Sequence, residues 1–108
     1  MYEDLKAALL AQNLIPATEY AWATRPSGNY AVFQQDFEAD ADVGDDCKGG
    51  IAMEGSIDLF TKGRAPAIWT GIEAILTAHC GASWYLNTEV VDEATNMLHR
   101  EYVFQTEE

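Results

Sequence analysis

The sequence predicts an α+β domain: an antiparallel sheet of about four to five strands with two helices packed on one face, in the order α-β-β-β-α-β-β. Three observations predict it. Two stretches carry apolar residues at helical spacing. The stretches between and after them carry the alternation or aromatic enrichment of strands. The connections are of hairpin length, which favours antiparallel pairing with helices gathered on one side. The chain's 108 residues, 48% hydrophobic and 22% charged, suit a single domain over 1–108 with an ordinary globular composition.

The first helix runs from Tyr2 to Asn13, with Leu5, Ala8 and Leu9 at helical spacing. Glu3 and Asp4 lie in its first turn, where the helix dipole favours acids. Asn13 and Pro16 bracket its end, and Leu14 and Ile15 are expected to be buried beyond it. Glu19 to Thr24, with Tyr20 and Trp22, reads as a short aromatic strand. Arg25-Pro-Ser-Gly-Asn is a turn signal, so a strand from Asn29 to about Asp40 is expected to pair with the first as a hairpin. Ile51 to Thr61 alternates clearly, with Ile51, Met53, Gly55, Ile57 and Leu59 on one face and Glu54, Ser56 and Asp58 on the other.

Pro66 opens the second helix at the favoured first position, and Gly81 stops it. Its expected apolar stripe is Ile68, Ile72, Ile75, Leu76 and His79, flanked by Trp69. Ser83 to about Val91 is a strand with Trp84, Leu86, Thr88 and Val90 on one face. The last strand, Met97 to Gln105, sets Leu98, Arg100, Tyr102 and Phe104 against Met97, His99, Glu101 and Val103.

Charge excludes several functions. Eighteen acids against six bases give a net charge of -12. Such a chain does not bind a nucleic-acid backbone by counterion release or adhere to an anionic membrane. No apolar run approaches a membrane span, and the acidic N-terminus lacks a signal peptide's basic region, so a cytoplasmic protein is expected.

The densest feature is "DFEADADVGDDCKGG", residues 36–50, with six carboxylates between Asp36 and Asp46. It reads as an acidic hairpin tip. Both EF-hand registers fail: from Asp36, Ala41 and Cys47 stand where Gly and Glu are needed, and from Asp40, Ile51 stands in the place of the closing Glu. A looser Mg²⁺ or Ca²⁺ site could use Asp40, Asp42, Asp45 and Asp46, but the prevailing expectation is a solvated, self-repelling loop. Cys47, His79, Cys80 and His99 make a zinc inventory without zinc spacing. Asp45 and Asp46 raise rather than lower the Cys47 thiol's pKa, and no nucleophile motif is present, so no catalytic residue is expected. The tryptophans Trp22, Trp69 and Trp84 lie on three elements and are expected in the core, with at least one at a subunit interface.

The order of elements resembles the tail-terminator (tail-completion, minor tail) proteins of long-tailed bacteriophages and prophages. The resemblance covers nearly the whole chain. It is carried by "YEDLKAALLAQNLI", "NYAVFQQDF", "GSIDLFTKG", "AIWTGIEAILTAHCG" and "SWYLNTEVVDEATNMLHREYVF". It implies a non-enzymatic protein without cofactor that forms a ring, typically a hexamer, on the head-proximal end of the tail tube. The ring ends tail growth and presents the surface that the head connector docks on. DNA passes through without being gripped, which an acidic lumen favours by repulsion. The implied location is the virion tail, after assembly in the host cytoplasm.

On this reading the acidic tip meets a neighbouring subunit or the tube. Lys62 and Arg64, together in the turn before the second helix, are the expected partners of a neighbour's Asp40, Asp42, Asp45 or Asp46. A head-closure or head-tail joining protein is an alternative of the same kind. A divalent-cation-binding module is an alternative of another class.

Overall fold

Helix α1 (Tyr2–Ala11) is ended largely by one side chain. The Gln12 amide donates to the carbonyl oxygens of Leu9 (3.1 Å) and Ile15 (2.6 Å). Its carbonyl oxygen accepts the N–H groups of Leu14 (2.8 Å) and Ile15 (3.1 Å). Four hydrogen bonds from one residue answer orphan groups at the helix end and redirect the chain. In this computed structural model, which describes residues 2–38 and 52–107, the turn delivers Ile15 into the core and aims the next residues along the sheet edge.

There the hairpin expectation is corrected. Strand β1 is Ala17–Glu19, not Glu19–Thr24, and it runs parallel to β2 (Tyr30–Glu38), with Ala17 opposite Ala31 and Glu19 opposite Phe33. The Ala31 N–H donates to the Pro16 oxygen at 2.8 Å, and the Tyr20 N–H to the Phe33 oxygen at 2.9 Å. Tyr20 then turns out of the extended region at φ 71°, ending the strand. The aromatics that suggested a strand sit beyond its end: Tyr20 is exposed, and the Trp22 indole N–H donates to the Ala31 oxygen at 3.2 Å.

The rest of the sheet is antiparallel. Strand β3 (Ala52–Thr61) pairs with β2 on one side and with β5 (Met97–Glu107) on the other. Strand β4 (Trp84–Asp92) pairs with β5 at the far edge. The order is β1-β2-β3-β5-β4, a five-stranded mixed sheet. Helix α2 (Pro66–Cys80) starts with Pro66 in the first turn and stops where Gly81 (φ 60°) donates its N–H to the Thr77 oxygen at 3.0 Å.

Both helices cover one sheet face. Tyr2, Leu5 and Leu9 of α1, with Ile15, meet Trp69, Ile72 and Leu76 of α2 over Ala31, Phe33, Ile57, Leu59, Tyr102 and Phe104. The centre of the α2 stripe is therefore Trp69-Ile72-Leu76, with Ile68 and Ile75 only partly buried. Leu14, expected inside, is 45% exposed. The Gly71 backbone allows its side chain to lie against α2, because a Cβ there would meet the Leu14 methyl.

Two register shifts change which residues share a face. Between Leu86 and Thr88 of β4 the pairing slips, so Trp84 and Leu86 stand opposite Phe104 and Tyr102, but Thr88 and Val90 stand opposite Glu101 and His99. The expected single face of Trp84, Leu86, Thr88 and Val90 is thus broken by a bulge. A second shift lies between Gln35 and Phe37 of β2.

Candidate functional site: a basic groove at one end of the sheet

The acidic residues Asp40, Asp42, Asp45 and Asp46, with Cys47, lie outside the described residues. The preceding Asp36 is described and exposed, and one of its carboxylate oxygens accepts the Gln34 side-chain amide. It stands at the end of the sheet where β2 leaves and β3 enters.

Lys62 and Arg64 lie at the opposite end, in the turn between β3 and α2, and both are exposed. The turn is built locally. Thr61 donates its hydroxyl to the Gly63 oxygen at 2.7 Å, Gly63 takes φ 121°, and the Lys62 N–H donates to Asn29 Oδ1 at 2.9 Å. Arg64 lies over the Trp69 ring, 5.6 Å from its centroid, toward the helix layer. Lys62 lines a groove instead. Lys62 and Arg64 thus have different neighbours within the subunit.

That groove has a volume of about 630 Å³ and is lined by Arg25, Pro26, Ser27, Tyr30, Lys62, Thr95, Asn96 and Met97. Three separate segments build it: the 25–30 loop, the turn after β3, and the β4–β5 turn. Asn96 at φ 59° shapes the last of these, and its N–H donates to the Asp92 oxygen at 2.6 Å. The Asp92 carboxylate is engaged by the Ala94 N–H and the Thr95 hydroxyl, both at 3.1 Å. Arg25 rests over Tyr30 at 6.0 Å from the ring centroid.

Tyr30 begins an aromatic stack across the helix-free face. Its ring lies 4.8 Å from Phe60, which lies 4.3 Å from His99, both pairs near parallel. His99 Nε2 is 2.7 Å from Asp58 Oδ1. Burial pushes the Asp58 carboxyl up, with the His99 contact opposing that rise. An imidazole–carboxylate pair could shuttle protons, but no nucleophile is seen in contact with it among the described residues.

Most other bases are spent internally. Lys6 Nζ pairs with Glu19 at 2.9 Å, and the Tyr2 hydroxyl donates to the same carboxylate at 2.6 Å. These two contacts hold the Glu19 carboxyl below the usual range. Arg100 bridges Glu89 at 3.0 Å and Glu73 at 3.6 Å and lies over Trp69 at 4.2 Å. The Tyr102 hydroxyl donates to Glu73 at 2.6 Å, tying the sheet to α2. Among the described residues, Arg25, Lys62 and Arg64 have no carboxylate partner, and Arg25 and Lys62 share one groove.

Metal chemistry finds no support among the described residues: no three of their His, Cys, Asp and Glu side chains could hold one ion. His79, Cys80 and His99 do not converge. Cys80 is half-buried, and burial pushes its thiol up, away from reactivity. No helix among the described residues is long and apolar enough to cross a membrane. Of the tryptophans, Trp69 is buried, while Trp22 and Trp84 are partly exposed near the two sheet edges.

Sequence reasoning missed this groove. Arg25 stood out only as part of a turn signal, and Tyr30, Asn96 and Met97 carried no functional signal. The signal was spread over three turns, each legible as a turn by itself, whose meeting depends on the strand register.

Comparison with known proteins adds a likeness of fold. No family model and no curated protein matches the chain. A solved structure described as "Virion of native gene transfer agent (GTA) particle" contains a chain that superposes at TM-score 0.60 with 18% identity. The match covers 95% of this chain and 90% of that one.

Proposed function

We propose that this chain is a non-enzymatic structural protein of a phage-type particle. In this reading it forms a ring at the head-proximal end of a tail tube, ends tube growth and offers the surface on which the head docks. The observation that carries it is the near full-length likeness of fold to a chain of a gene transfer agent virion. The resemblance of the ordered segments to tail terminators, and a net charge of -12, support it further.

The partners on this reading are further copies of the chain, in a hexamer, the tube protein and the head connector. DNA crosses the ring and is repelled by its walls. No cofactor is needed. Mg²⁺ or Ca²⁺ binds weakly at Asp40, Asp42, Asp45 and Asp46 during assembly. The location is the virion tail, reached from the host cytoplasm.

The test is addition of the purified protein to elongating tubes of the tube protein, followed by negative-stain imaging. Capped tube ends and arrested growth are expected. Binding to DNA-filled heads and not to tubes would instead identify a head-closure protein. Stoichiometric Ca²⁺ binding by the monomer, with no affinity for either particle, would overturn the structural reading.

A further inference from the structure

We propose that the groove between Arg25 and Lys62 receives the acidic end of a second copy of this chain, with Asp36 and Glu54 as the entering carboxylates. The inference rests on the reading of the protein as self-assembling, and it names the contact.

Three observations carry it. The first is the lack of spare basic charge. Against eighteen acids the chain has six bases. Lys6 and Arg100 are consumed by Glu19, Glu73 and Glu89, Arg64 lies on Trp69, and Lys48 lies outside the described residues. Arg25 and Lys62 converge on one groove of about 630 Å³. It is also lined by polar residues that suit carboxylates, Asn96 and Ser27.

The second is the polarity of the sheet. β2 starts and β3 ends at the groove, whereas Asp36 and Glu54 stand near the other ends of the same two strands. Neither carboxylate has an ion-pair partner among the described residues. The molecule is elongated, 44 × 27 × 26 Å. The two strands therefore have unpaired carboxylates at one end, and Arg25 and Lys62, without carboxylate partners among the described residues, at the other.

The third is distance. At about 3.3 Å per residue, Asp36 is roughly 20 Å from Tyr30 along β2, and Glu54 roughly 26 Å from Lys62 along β3. Both spans exceed the Debye length of about 8 Å at physiological salt, so these carboxylates cannot satisfy their own chain's groove. A contact between unlike ends of two copies is heterologous. It propagates, and it closes into a ring when the rotation per subunit allows.

The test uses charge swapping on the full chain. One variant carries Arg25→Glu and Lys62→Glu, the other Asp36→Lys and Glu54→Lys. Self-association is followed by sedimentation velocity at low and high salt. Far-UV circular dichroism and melting confirm that each variant folds, and Arg25→Gln with Lys62→Gln serves as a milder form. Wild type is expected to associate more strongly at low salt. Each variant alone should associate roughly tenfold more weakly or worse, and an equimolar mixture should recover association.

Variants that associate as well as wild type, or a mixture that recovers nothing, would overturn the contact. So would a wild-type chain that stays monomeric at millimolar concentration. The two readings separate cleanly. Normal tube capping by the Arg25→Glu, Lys62→Glu variant would leave the ring reading standing without this contact. Charge-swap rescue without tube capping would keep the contact and remove the tail role.

Discussion

Gly55 sits where three strands and a ring crowd together. A Cβ there would press on the Gln34 carbonyl oxygen and on the edge of the Phe104 ring, whose other neighbour is Tyr2, stacked at 6.3 Å. Neither obstacle can move cheaply: one is backbone, and the other is a fully buried ring. Gly55→Ala should therefore cost about 3 kcal/mol, read from urea melts. Gly71→Ala makes the contrast. There the obstacle is the tip of the exposed Leu14 side chain, which can swing away, and alanine gains helix propensity. Its stability should stay within about 1 kcal/mol of wild type. Both glycines are visible in the sequence, but their difference lies in what faces them.

Glu19 gives a pH dependence whose sign can be worked out. The Tyr2 hydroxyl, and then Lys6, depress its carboxyl pKa. A depressed folded-state pKa stabilises above the unfolded value of about 4.3 and loses that contribution as pH falls through the folded value. Asp58 has the opposite sign, since its raised carboxyl favours folding most at low pH and loses that contribution as pH rises. Melting temperature of Glu19→Gln against wild type should show a deficit at pH 7 that shrinks toward pH 3. A deficit that is constant with pH would mean that packing, not charge, holds this corner.

At the scale of elements, most boundaries were legible because alternation and capping are local. β3, α2 and β5 begin and end within two residues of expectation, since Pro66, Gly81 and the apolar alternation act on their own neighbours. The parallel β1 was not legible. Its direction depends on four hydrogen bonds of Gln12 and on a left-handed Tyr20, and neither leaves a periodic trace. The bulge in β4 was hidden for a similar reason, since a single unpaired Asn87 flips the faces of all that follow. Its consequence is an edge strand exposed on both faces, with Tyr85, Leu86, Val90 and Val91 between 37% and 61% accessible. Strand edges of this length are usually guarded by lysine or proline, and β4 has neither. Val90→Lys with Val91→Lys should leave monomer stability within about 0.5 kcal/mol and lower aggregation on heating, measured by light scattering.

Across the whole molecule, charge sets the behaviour. A net charge of -12 on 108 residues repels itself in the folded state more than in the expanded one. Raising monovalent salt should therefore raise the melting temperature, by about 4 °C for each 1 kcal/mol relieved. A melting point that falls with salt would mean that the internal pairs of Lys6 and Arg100 outweigh the repulsion. Composition made this scale easy to read, but it could not show that two of the few bases, Arg25 and Lys62, share one groove. That juxtaposition requires the strand register, because Arg25, Lys62 and Asn96 meet only once the sheet is formed.

The strand order β1-β2-β3-β5-β4 also sets a schedule for folding. The central ladder joins β3 to β5, from Ala52 opposite Glu107 to Thr61 opposite Leu98, so α2 and β4 must be synthesised before it can close. β2–β3 and β4–β5 can each zip as neighbours in sequence, yet neither has a complete core until the two halves dock. The central pairing is non-local, and folding on the order of milliseconds to seconds is the natural pace of such pairing. Until that docking, the β5 edge that will meet β3 stays open in every nascent chain.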